Sequence, residues 1–162
     1  MPGMVAPAPV SSGPGSSGAE SPRPVSAGPV PPVPTLSVLV VDDEPDACDV
    51  LARLLARAGH RARCVPNGRE ALAAVVAGAY DVVVLDLLMP AMDGPTFLDI
   101  VRSYLRLQSL PVVVLTAAPD GPLADRARQH GVAAVLAKGA VTPDNILRAV
   151  QAAARPTETD GP

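Results

Sequence analysis

The chain has 162 residues, a formal net charge of -3 and a pI near 5.2. That length suffices for one ordinary domain with a complete hydrophobic core, and the acidic balance argues against nucleic-acid or membrane-surface binding, which call for basic patches. No apolar run approaches the ~18 residues that span a bilayer, and "MPGMVAPAPV" lacks the basic start and apolar core of a signal peptide, so the sequence reads as cytoplasmic.

Residues 1–35 differ in composition from the rest of the chain. Ten of the 20 prolines lie here among Gly, Ser and Ala, and the only charges are Glu20 and Arg23. Such a segment cannot bury enough apolar surface to offset its ordering entropy, so it is expected to be a disordered arm. Its end, "PVPPVPT", leans toward polyproline II and could dock on a partner, although a plain spacer is the simpler reading.

From Leu36 the apolar pattern alternates regularly. "LSVLVV" (36–41) predicts a buried strand, and 45–58 a helix with Val50, Leu51, Leu54 and Leu55 at helical spacing, ended by Gly59. A short strand at 61–65 and a helix at 68–77 come next. "DVVVLD" (81–86) predicts the third strand, followed by a helix over 95–106. After it come a strand at 111–116, a polar helix at 122–130, a strand at 133–138 and a closing helix at 143–154. Five strand–helix pairs imply a doubly wound α/β domain over 36–154, its parallel strands apolar because helices cover both faces. Residues 155–162 read as a flexible tail. Cys48 and Cys64 fit no metal spacing and read as reduced structural thiols.

In such sheets ligands bind at the carboxyl ends of the strands, where the strand order reverses. Under the order 2-1-3-4-5 the conspicuous polar residues converge there: Asp42 and Asp43 after strand one, Asp86 after strand three, Thr116 after strand four and Lys138 after strand five. Each has a simpler explanation alone. "DDEPD" could cap a helix, Thr116 could bond its own backbone, Lys138 could be a solvated surface lysine, and Asp93-Gly94 signals a turn. Their coincidence at four strand ends argues for one chemical kit. Three carboxylates in one crevice demand a hard cation, for which oxygen ligation favours Mg²⁺. A carboxylate can accept a phosphoryl group as an aspartyl phosphate, with a hydroxyl and an ammonium neutralising charge on that group.

"VLVVDDEPD", "DLLMPAMDG", "VVVLTA" and "AAVLAKGA", in this order and spacing, resemble the receiver domain of bacterial two-component response regulators. The resemblance implies a flavodoxin-like sheet of five parallel strands with five helices. It implies that Asp86 is the phosphoacceptor, that Asp43 ligates Mg²⁺ directly and Asp42 mainly through water, and that the main-chain carbonyl of Leu88 is a further ligand. Thr116 would be the switch hydroxyl and Lys138 the phosphoryl-binding lysine. The implied partner is a histidine kinase or a histidine phosphotransfer protein.

Two departures stand out. Gly139 follows the lysine where the family usually has Pro, often cis, so the loop after strand five is expected to differ. Val135 occupies the strand-five position of the family's inward-turning aromatic, and no Phe, Tyr or Trp occurs after Tyr104. With only eleven residues after Gln151, the expected function is that of a stand-alone receiver acting through an unknown protein target or a phosphorelay. A phosphorylation-independent interaction module is the second reading. An aspartate-nucleophile phosphatase is the third, disfavoured because Leu88 stands where such enzymes carry a second carboxylate.

Overall fold

A computed structural model describes residues 34–155. The expected arm over 1–35 lies outside the described residues except for its last two positions, and the tail over 155–162 except for its first. The chain runs β1 (Ser37–Val41), α1 (Pro45–Arg57), β2 (Arg61–Val65), α2 (Gly68–Ala77), β3 (Val82–Leu85), α3 (Gly94–Ser103), β4 (Val112–Thr116), α4 (Pro122–Arg128), β5 (Ala134–Ala137) and α5 (Pro143–Ala154). All strand pairs are parallel, in the order β2-β1-β3-β4-β5.

Side chains alternate across a strand, so each apolar strand feeds two cores at once. Leu39, Val41, Val83, Leu85, Val112 and Val114 meet Phe97 and Leu98 of α3 on one face. Val38, Val40, Val82, Val84, Val113 and Leu115 meet Leu51 and Leu55 of α1 and Ile146 and Val150 of α5 on the other. All of these except Leu51 and Leu115 are at most 1% exposed. At about 25 cal/mol per Å² this double-sided burial is the principal stabilising term. It also holds the strand ends rigidly, which is what a site needs from its scaffold.

The helices start as local sequence dictates. Asn67 caps α2 by accepting from the Glu70 N–H at 2.9 Å, and Asp93 caps α3 by accepting from the Thr96 N–H at 2.9 Å. Thr142 and Asn145 form a reciprocal capping box at α5, with Pro143 in its first turn.

Several boundaries differ from the sequence expectation. The helix expected over 95–106 ends at Ser103, Tyr104 is extended, and Leu105–Leu107 form a 3-10 turn. The half-buried Arg102 accounts for the turn: its guanidinium donates to the carbonyls of Leu107, Leu110 and His130 at 2.9–3.2 Å, fixing the turn against the entry to β4. The helix expected over 122–130 ends at Arg128, with Gly131 at φ +70° completing the turn into β5. The strands expected to include Asp86 and Lys138 stop one residue short of each, so both side chains are presented from strand ends. The Lys138–Gly139 bond is trans, and Lys138–Ala140 make a 3-10 turn.

Candidate functional site

The parallel sheet sends the chain off the carboxyl ends of β1, β3, β4 and β5 at one edge. A cleft of about 500 Å³ opens there, lined by Asp43, Asp86, Leu88, Thr116 and Lys138 among others. Carboxylate oxygens of Asp42, Asp43 and Asp86 lie within 4.8 Å of one another, and Asp42 and Asp86 are buried. The structure therefore brings together all the side chains singled out from the sequence. Glu44, which the sequence pattern did not single out, lines the cleft too. The signal available for it was its place directly after the paired aspartates.

Asp42 does not cap α1. The N-cap position is Glu44, without a side-chain cap, while Asp42 Oδ1 accepts the Glu44 N–H at 2.9 Å within the loop. The other carboxylate oxygen, Oδ2, takes the ammonium of Lys138 at 2.7 Å. Lys138 also donates to Asp86 Oδ2 at 3.3 Å, so it is an ion-paired residue and not a solvated surface lysine. Asp86 Oδ1 accepts the Leu88 N–H at 3.4 Å.

These contacts set the charge state of the cluster. Burial pushes the Asp86 carboxyl above the ordinary aspartate range; Lys138 pulls the other way, and the charge of Asp42 adds to the rise. For Lys138, burial disfavours the charge, but its bond to Asp42 and the two nearby carboxylates outweigh that and raise it. The ammonium between these two carboxylates offsets part of the cost of holding Asp86 at the end of a core strand.

Thr116 is buried at the end of β4, and its hydroxyl oxygen accepts the Ala118 N–H at 3.2 Å. The local backbone bond expected of a strand-end threonine therefore exists. It occupies the oxygen as an acceptor and leaves the hydroxyl proton free to donate into the cleft. Leu88 is 73% exposed at the mouth, facing the same opening as Ala118.

The segment from Asp86 to Gly94 holds features that sequence reasoning missed. Asp93-Gly94 is more than a turn: Asp93 is a helix cap, and the Gly94 N–H returns to the Leu87 carbonyl at 2.9 Å. A Cβ on Gly94 would lie 2.8 Å from Leu87 Cα and 3.1 Å from the Asp86 carbonyl oxygen, so only glycine fits. Ala91, at φ +73°, adopts the left-handed conformation that glycine tolerates best.

A family model described as the response regulator receiver domain matches residues 38–151. The chain belongs to the response regulator receiver domain family. This receiver domain is 45% identical to the transcriptional regulatory protein TcrA of Mycobacterium tuberculosis over 91 residues, 55% of this chain and 34% of TcrA. The chain thus spans about a third of that relative's length. Among solved structures it resembles the Vibrio cholerae chemotaxis protein CheY4 with a TM-score of 0.68 and 28% identity, covering 74% of this chain and 99% of CheY4. It shares its fold with the receiver domain of sensor histidine kinase PA1611 from Pseudomonas aeruginosa PAO1, with a TM-score of 0.69 at 24% identity over 75% of this chain and 98% of that one. The PA1611 structure has a magnesium ion coordinated in its active-site cleft. Among the described residues of our chain, no helix is long and apolar enough to cross a membrane.

Proposed function

We propose that this receiver domain takes a phosphoryl group from a phosphohistidine onto Asp86 and signals by protein contact or by passing that group on. The observation that carries this reading is the convergence of Asp42, Asp43 and Asp86 with Lys138 and Thr116 on one cleft. The donor would be a histidine kinase or a histidine phosphotransfer protein, and the downstream target a protein.

In the proposed transfer, an Asp86 carboxylate oxygen attacks phosphorus as the bond to the histidine nitrogen breaks, and the imidazole leaves with the electron pair. Asp86 is aimed by the end of β3 and held by the Leu88 N–H on its other oxygen. Lys138 can follow the charge from the carboxylate to a phosphoryl oxygen, because its ammonium already sits 3.3 Å from Asp86. Thr116 donates its hydroxyl proton to another phosphoryl oxygen. Asp42, Asp43 and Asp86, with the Leu88 carbonyl, would hold Mg²⁺: three clustered carboxylates suit a hard cation. When bound, Mg²⁺ supplies charge neutralisation for the transferring group.

The test uses acetyl phosphate and intact-mass measurement. The wild type should gain one phosphoryl group only with a divalent cation, and Asp86→Ala should gain none. Equal labelling of Asp86→Ala would overturn the acceptor assignment. The absence of an aromatic at Val135, which packs against the core, favours a second reading, a phosphorylation-independent interaction module. Under that reading the wild type would stay unlabelled.

A further inference from the structure

The two cysteines lie on different elements, sixteen residues apart, yet the fold sets them side by side. On α1, Cys48 shares the buried face with Leu51 and Leu55, at three- and four-residue spacing. On the edge strand β2, the alternating residues Ala62 and Cys64 pack toward the same core. Both cysteines converge on Val40. Cys64 is its register partner across the β1–β2 pair, and Cys48 Sγ lies 3.9 Å from the Val40 carbonyl. The Cys64 thiol donates to the Cys48 carbonyl oxygen at 3.3 Å, so its sulfur touches the residue that carries the other thiol.

Their accessibility differs in a useful way. Cys48 is only 4% exposed, whereas Cys64 is part-exposed. Both line a small cleft of about 190 Å³ that also contains Asp42, Asp43, Pro45 and Asp49. A reagent from solution therefore meets Cys64 first, with Cys48 behind it. That is the arrangement of an attacking and a resolving thiol. The phosphoryl site uses neither sulfur.

We propose that Cys48 and Cys64 form an oxidisable dithiol, which closes to an intramolecular disulfide on exchange with a small-molecule disulfide. The Cys64 thiolate attacks one sulfur of the reagent, giving a mixed disulfide and releasing one thiol. The Cys48 thiolate then attacks the Cys64 sulfur, expels the second thiol and leaves the Cys48–Cys64 bond. Two protons leave the protein thiols and two are taken up by the released thiolates. The reagent is reduced by the two electrons that the cysteines give up. The bond would tie the first turns of α1 to the edge strand, beside the loop that carries Asp42 and Asp43. Burial raises both thiols above the ordinary cysteine range, so exchange should be slow at neutral pH and speed up as the pH rises.

The experiment treats the reduced 162-residue chain with glutathione disulfide at about pH 8, where more thiolate is present. Intact mass and non-reducing peptide mapping are the readouts. The wild type should lose two hydrogen atoms, retain no glutathione and yield a linked peptide pair containing Cys48 and Cys64. Cys48→Ala should retain one glutathione on Cys64, because the resolving thiol is gone. Cys64→Ala should react at least about tenfold more slowly than Cys48→Ala, since its one thiol is buried. Stable glutathionylation of the wild type, two unreacted thiols or a disulfide-linked dimer would overturn the proposal. So would equal rates for the two variants.

Discussion

Replacing Gly94 by alanine pits two opposite effects against each other in the loop that presents Asp86. As the first residue of α3, an alanine should gain up to about 1 kcal/mol in helix propensity and reduced unfolded-state entropy. The new Cβ, however, would sit 2.5 Å from Leu87 Cδ2, 2.8 Å from Leu87 Cα and 3.1 Å from the Asp86 carbonyl oxygen. The Leu87 side chain is fully buried and has little room to swing away, and the other two atoms are backbone. Overpacking of this kind costs typically 1–3 kcal/mol, and the two contacts below 3 Å put it at the upper end, about 3 kcal/mol. The net loss is about 2 kcal/mol, or a thermal midpoint lower by roughly 8 °C for a domain of this size. Calorimetry or circular dichroism reads that shift, with Gly139→Ala as control, because a Cβ there meets nothing within 4 Å. The control should stay within ~0.5 kcal/mol of the wild type. Labelling by acetyl phosphate should also slow in Gly94→Ala, since the backbone that must yield includes that of Asp86. A Gly94→Ala protein with the wild-type midpoint would refute the steric argument.

Individual residues carry the other expected outcomes. Ala91→Gly should stabilise by about 1 kcal/mol, because Ala91 holds a φ of +73° at a cost that glycine lacks; urea unfolding checks this. Arg102→Met should cost about 2–3 kcal/mol in the same assay, since three carbonyls lose a charged donor. Leu88 and Ala118 line the cleft with side chains that cannot orient water, so Leu88→Asn/Ala118→Glu should lose its phosphoryl group at least about tenfold faster than the wild type once the donor is removed. Burial raises the Asp86 carboxyl, so the folded chain binds this proton more readily than the unfolded one. Its ionisation therefore costs stability at neutral pH, and the cost is relieved as pH falls through the folded value. NMR titration in metal-free buffer should find Asp86 protonating above the ordinary aspartate value of about 3.9.

The alternation of valine-rich strands and amphipathic helices was legible in the sequence because its periods are local: two residues in a strand and 3.6 in a helix. The parallel order came from short crossovers between apolar strands. The convergence of the acids, the threonine and the lysine on one cleft was legible because each stands at the carboxyl end of a strand, and that topology sends such ends to one edge. What local pattern could not carry were contacts between segments distant in sequence. Lys138 finds Asp42 at 2.7 Å across 96 positions of chain, and only the packed sheet sets that distance. Arg102 stops a helix whose apolar pattern runs on, because three carbonyls from elsewhere lie within its reach. Gly94 looked like half of a turn signal until the Leu87 backbone lay against it, and Cys48 and Cys64 looked unrelated until α1 settled on β2. Periodicity chooses the elements and the faces they bury, whereas close approach between those faces, and the charge states that depend on it, exists only once the chain has folded.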